Sequence, residues 1–275
     1  MASVADIARA LEGLFPTALA EDWDRVGLAV GNERAEVRRV LFAVDPAPAI
    51  VDEAIEWGAQ MIVTHHPLLL RGITSVSSAT AKGSQVMRLV TAGIAQYAAH
   101  TNADRAAGGT NDALATAFGM TDVRPLVPGE GDDAHVGLGR IGRVEPTTLG
   151  RFAQAVADAL PATAAGVTVA GDLDGEVRTV AVVGGSGAEF VADAARAGAD
   201  VFVTADIKHH PATDAREEAE RGDGRPFLVH VSHAASESLW LAAAARHVAE
   251  QCGVECRVSE TTTDPWTGHF QRRGT

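Results

Sequence analysis

Sulfur and positive charge are what this chain has least of. Among its 275 residues the only cysteines are Cys252 and Cys256, with no second pair. That excludes a zinc-ribbon pattern, and free thiols are the expected state. Lys and Arg together number 23 against 36 Asp and Glu, a formal net charge of −13. So acidic a chain is poorly suited to wide contact with a duplex nucleic-acid backbone. A local cationic metal site would still attract a phosphate-bearing small molecule. No stretch reaches the ~18 uninterrupted apolar residues of a membrane span. The N-terminus has no basic segment leading into a signal-type apolar core; Val4, Ile7, Leu11 and Leu14 recur instead at helical spacing. The expectation is a cytoplasmic protein with no membrane partner.

What is present reads as a globular α/β chain, 46% hydrophobic and 21% charged. A first helix is followed by a loop at 23–28 and a strand near 40–44. A helix over about 49–57 then stops at Gly58, ahead of the apolar run Met61-Ile62-Val63-Thr64-His65-His66-Pro67. This run reads as a buried strand that Pro67 ends, removing a backbone donor and holding His66 extended. Another helix is predicted over 84–92 and a strand over 94–99. Alternating strands and helices predict a largely parallel sheet covered by helices.

The second half repeats the first. Residues 51–66 and 191–206 are identical at six of sixteen positions, including the Gly-Ala that ends the helix and the Val-Thr that ends the strand. His100 to Asp104 and His233 to Glu237 share one His-x₃-carboxylate spacing. The expectation is therefore two similar lobes facing one another with the site in the cleft between them. The first is placed at residues 1–125, and a connecting segment plus the second lobe at 126–275. The connector, about 120–177, contains a Gly/Asp-rich stretch at 129–133 and a helix near 149–160. The polar tail after Trp266 is expected to fray.

His65, His66, Asp104, His233 and Glu237 make a chemically coherent set. Open α/β sheets place chemistry just beyond the carboxyl ends of their strands. Residues four apart on a helix share a face, which aligns His233 with Glu237 and His100 with Asp104. Successive strand side chains point to opposite faces, so His65 and His66 are expected to serve different ions if the backbone turns between them. Imidazole and carboxylate donors suit Zn, Fe, Mn, Ni or Co. Two divalent ions with two carboxylates leave net positive charge, which favours activated water and an anionic substrate. Each residue also has a plain structural alternative: Asp104 as a helix N-cap, Glu237 as a solvated helix residue.

Residues 22–31 (DWDRVGLAVG), 44–72, 99–120, 137–144, 182–187, 203–215 and 230–237 (HVSHAASE) together resemble one family across nearly the whole chain. It is the dinuclear-metal-centre family of GTP cyclohydrolase I type two homologues, also called Ngg-one-interacting-factor-three-like proteins. THHPL and HTNxD are its more specific motifs. The resemblance implies two metal ions on His65, His66, Asp104, His233 and Glu237, two similar α/β lobes, and toroidal hexamers enclosing a cavity. One departure stands out: the family often reads TGEIKYH where this chain has Thr204-Ala205-Asp206-Ile207-Lys208-His209-His210. Any role of the acidic position there is thereby put in question.

Around this set, His100, Lys208 and His210 are the candidates for catalytic work. His100 is the repeat mate of His233 and suits a proton shuttle or a structural strand-end histidine. Lys208 and His210 suit phosphate contact. Gly184-Gly185-Ser186-Gly187 reads as a tight βα turn more readily than as an anion cradle, since it lacks the Lys of a P-loop. Trp23 and Gly27 read as packing residues. Two functions fit: a metal-dependent hydrolase of a small nucleotide-like or phosphate-bearing substrate, or a non-catalytic metal-binding oligomeric scaffold.

Overall fold

A computed structural model describes residues 1–129 and 133–272; residues 130–132 of the Gly/Asp-rich stretch and the last three of the polar tail lie outside the described residues. The fold is mixed α/β and divides into two compact units. The first holds residues 1–109 and 240–263, the second 110–239 and 264–275.

The chain opens with β1 (Ala2–Ser3) and α1 (Val4–Leu14). Ser3 and Asp6 form a capping box that satisfies the amides at the start of α1, and Val4, Ile7 and Leu11 are its buried stripe. There follow β2 (Gly27–Val30), β3 (Glu36–Val37), β4 (Arg39–Ala43), α2 (Pro48–Trp57), β5 (Met61–Thr64), α3 (Ala81–Ala92), β6 (Ala95–Ala98) and α4 (Thr101–Arg105). Gly58 and Gly93 end α2 and α3 in the left-handed conformation, which a residue without Cβ adopts at low cost.

The second unit runs through α5 (Thr110–Ala117), β7 (Thr121–Pro128), β8 (Gly137–Thr148), α6 (Leu149–Ala159), β9 (Thr168–Ala170) and β10 (Glu176–Ser186). It continues with α7 (Val191–Arg196), β11 (Val201–Ala205), α8 (His209–Glu220), β12 (Phe227–His230) and α9 (His233–Ser236). The chain then returns to the first unit as α10 (Leu241–Cys252) and β13 (Glu255–Val258).

The first unit's sheet has the order β13-β4-β5-β6-β2, parallel except for β2 against β6. The second unit's sheet has the order β7-β8-β10-β11-β12-β9. Its β10-β11-β12 core is parallel, and β9 pairs antiparallel with β12. One pattern thus occurs twice: β4-β5-β6 flanked by antiparallel β2, and β10-β11-β12 flanked by antiparallel β9. Every residue of β5 and of β11 is buried, as expected for parallel strands covered on both faces.

The compact units part at 109/110, with residues 240–263 in the first. β7 and β8 pair antiparallel, and β8 joins the second sheet against β10. The C-terminal α10 and β13 belong to the first unit, where β13 pairs with β4 from Glu255 opposite Arg39 to Val258 opposite Phe42. The Trp240 ring packs edge-on against Phe15 at 5.1 Å.

Candidate metal centre

In the first unit the apolar strand β5 delivers its histidines past its own end. His65 and His66 follow Thr64, and their amides still bond Ala43 and Val44 of the neighbouring strand at 3.2 and 2.9 Å. The Thr64 hydroxyl donates to the His66 carbonyl at 2.6 Å and shapes the exit. The two rings lie 5.2 Å apart, so the opposite-face rule of a regular strand does not separate them. His100 completes a cluster in which one ligand atom from each of the three imidazoles lies within 4.8 Å of the others.

HTNxD works residue by residue. Thr101 donates through amide and hydroxyl to Asp24 Oδ2, at 3.0 and 2.5 Å. Asn102 accepts from the His100 amide at 2.9 Å and donates to the Phe15 carbonyl at 2.7 Å. Asp104 lies on the fourth residue of α4, buried, with Oδ1 3.7 Å from His65 Nε2. It is therefore not the N-cap; that place belongs to His100.

In the second unit His233 opens α9 and Glu237 closes it, one turn apart as the spacing predicts. His233 Nε2 sits 3.0 Å from Glu237 Oε1. Gly185 makes this approach possible: at φ +65° its backbone runs beside the pair, and an added Cβ would collide with Glu237 Oε1 and sit 3.2 Å from His233 Nε2.

The orientation of the four imidazoles is shared. His65 Nδ1 bonds the Ala99 carbonyl at 3.0 Å, and a carbonyl only accepts, so Nδ1 carries the proton. His66 Nδ1 donates to Asp45 at 2.6 Å, His100 Nδ1 to Asp24 at 2.8 Å and His233 Nδ1 to Asp206 at 2.7 Å. Nδ1 is thereby the protonated nitrogen of each ring, and the Nε2 atoms of His65 and His233 face the carboxylates of Asp104 and Glu237 at 3.7 and 3.0 Å. This is the arrangement by which oxygen partners fix the tautomer and orientation of metal-ligating histidines. His65 Nε2 and Asp104 Oδ1 are too far apart for a hydrogen bond, and a divalent ion coordinated by both would span such a separation. The donor set, all nitrogen and oxygen, fits the implied ions.

Asp24, Asp45 and Asp206 were not singled out from sequence as partners of these rings. Their signals are the DWDR, VDPAP and TADIKHH segments, whose acidic residues have no meaning until the fold brings an imidazole to them. Asp206 resolves the departure at 204–210: it holds His233, from a left-handed backbone at φ +53°. Burial opposes ionisation of Asp24, but hydrogen bonds from His100 and Thr101, the His100 charge and the Arg25 amide hold its carboxyl far below the usual carboxylate range. His230, at the end of β12, is shifted down by burial, with Asp206 opposing.

Lys208 and His210 are exposed at the start of α8 and join no metal-type cluster among the described residues. The Gly184 and Gly185 amides are taken by Asn111 Oδ1 and Ser236 Oγ, both at 2.9 Å, so these two do not cradle an anion. Ser186 ends β10 and the chain turns toward α7, which fits the βα-turn reading.

The chain is thus an α/β protein whose clustered imidazoles could hold a metal ion. Residues 2–265 match the Duf34/NIF3 (NGG1p interacting factor 3) family, and the chain belongs to that family. It is 45% identical over 276 residues to a GTP cyclohydrolase 1 type 2 homolog of Streptomyces coelicolor, covering 98% of this chain and 95% of that protein. A protein of the same name from Clostridium perfringens is 32% identical over 271 residues, covering 95% of this chain and 97% of its own length. Among solved structures, a Bacillus cereus protein related to NIF3 superposes with TM-score 0.88 at 26% identity, covering 97% of this chain and 99% of that one. A Staphylococcus aureus hypothetical protein gives 0.87 at 29% identity, with 96% and 98% covered.

Proposed function

We propose that this chain is a metal-dependent hydrolase acting on a small nucleotide-like or phosphate-bearing substrate, with two divalent ions on His65, His66, Asp104, His233 and Glu237. The observation that carries this reading is the common orientation of the imidazoles, each with Nδ1 engaged by oxygen, and the carboxylates of Asp104 and Glu237 beside His65 and His233. The relatives' name, GTP cyclohydrolase 1 type 2 homolog, supports the nucleotide class. Bound divalent ions supply Lewis acidity, which brings water's ionisation toward neutral pH and offsets negative charge on the reacting group.

The protein's own part is positioning and proton handling. Asp45 and Asp206 hold His66 and His233 in one tautomer. His100, backed by the ionised Asp24, is placed to take a proton at Nε2 and stabilise the resulting imidazolium. Lys208 and His210 remain candidates for a substrate phosphate. We further propose a closed oligomer, a hexamer by resemblance, acting in the cytoplasm. Among the described residues no helix is long and apolar enough to cross a membrane.

The test is turnover of GTP and of simple phosphoesters by protein loaded with Mn or Zn, following formate and phosphate separately. Activity should vanish on chelation and return with a first-row metal. Formate would assign a cyclohydrolase and phosphate alone a phosphoesterase. Neither product from fully metallated protein would favour the non-catalytic scaffold.

A further inference from the structure

Trp23 does not behave as the packing residue its motif suggests. Another tryptophan of the same unit, Trp240, is 1% exposed and lies against Phe15 and His65, whereas Trp23 is 57% exposed. An indole left open forgoes the burial that stabilises a core. Its placement is nevertheless fixed. Asp24, the next residue, bonds the Glu21 carbonyl through its amide at 2.9 Å, and His100 and Thr101 through its carboxylate. The Trp23 ring meets His100 edge to face, with centroids 6.0 Å apart and planes at 81°. A rigid aromatic surface thus stands beside the histidine cluster and open to solvent.

We propose that Trp23 is a stacking platform for a planar heteroaromatic ring, such as a purine base, and so selects the substrate presented to His65, His66 and His100. This rests on the hydrolase reading and narrows its substrate to one that carries such a ring. Tryptophan suits the task because its two side-chain torsions cost little to immobilise. Base–indole stacking is also tolerant of ring identity and adds affinity without hydrogen-bond readout.

The experiment is calorimetric titration of zinc-loaded protein with guanosine monophosphate and with ribose 5-phosphate, which keeps the phosphate and lacks the base. Wild type is compared with Trp23→Ala and Trp23→Phe, with zinc content checked by elemental analysis. The expected result is a loss of roughly fivefold or more in affinity for the nucleotide in Trp23→Ala. Trp23→Phe should recover most of it, and ribose 5-phosphate binding should be unchanged throughout. Equal loss for both probes, or no loss for either, overturns the platform. So does a change of mass in light scattering for Trp23→Ala, which would make the residue an interface between copies. Zinc-dependent binding of ribose 5-phosphate with no gain from the base sinks the platform but leaves the hydrolase reading standing. Failure of both probes to bind zinc-loaded wild type overturns both.

Discussion

A histidine becomes a dependable ligand when its other nitrogen is spoken for. Asp206 does this for His233, and the left-handed backbone at Asp206 makes the substitution choice informative. Asparagine tolerates that conformation and can accept from Nδ1, whereas alanine tolerates it poorly and cannot accept. Asp206→Ala should weaken metal binding by about 10- to 100-fold, and Asp206→Asn by clearly less, measured by competition with a chelating dye. Equal affinities in all three proteins would remove the positioning role. The carboxylates admit a second contrast. Glu237→Ala should reduce occupancy of both ions if the carboxylate bridges, while His65→Ala should mainly reduce one. Two ions per chain in dialysed Glu237→Ala, counted by elemental analysis, would end the bridging idea.

At the scale of elements, the repeated threonine makes a different bond in each strand. Thr64 at the end of β5 donates to the His66 carbonyl, and Thr204 in β11 donates to the Gly185 carbonyl at 3.0 Å. The edge strand β13 carries a different consequence. Burial pushes the Cys256 thiol up to about 12, with Cys252 and Glu255 adding to it. Unfolded cysteine ionises near pH ~8.5. The native state keeps this proton longer, so its contribution to stability is full below that pH and falls as pH rises toward 12. The urea midpoint should accordingly decline between about pH 9 and 11, less steeply in Cys256→Ala. Identical slopes in the two proteins would show that the thiol does not contribute.

For the whole molecule, the return of the chain to its first unit is the architectural fact with the most consequence. Trp240, Leu241, Ala244, Ala245 and Val248 are buried there, and β13 completes one edge of the β4 sheet. Fully burying a large apolar side chain contributes about 1.5–3 kcal/mol, against a total stability of about 5–15 kcal/mol. Deleting residues 240–275 should therefore unfold the first unit, seen as lost cooperativity in circular dichroism melts. Deleting only 268–275 should change the melt little. Cooperative melting of the longer truncation would mean the first unit is self-sufficient without its C-terminal elements. Light scattering addresses the proposed assembly, and a monomer at micromolar concentration would contradict a closed hexamer.

Local pattern carried much of this protein. The apolar run into His65 and His66, the glycines that stop α2 and α3, and the two His-x₃-carboxylate turns are short-range features, so period and punctuation in the sequence suffice to place them. The repeated segments 51–66 and 191–206 each run from a helix, α2 or α7, into a fully buried parallel strand, β5 or β11. Tertiary structure alone decided the rest. Asp24 and His100 are separated by 76 residues, Asp45 and His66 by 21, and Asp206 and His233 by 27. No periodicity selects one carboxylate among 36 acidic residues over such separations. The place of α10 and β13 was decided in the same way, since an amphipathic helix and a short strand specify that they must be buried, and only the completed sheet specifies where.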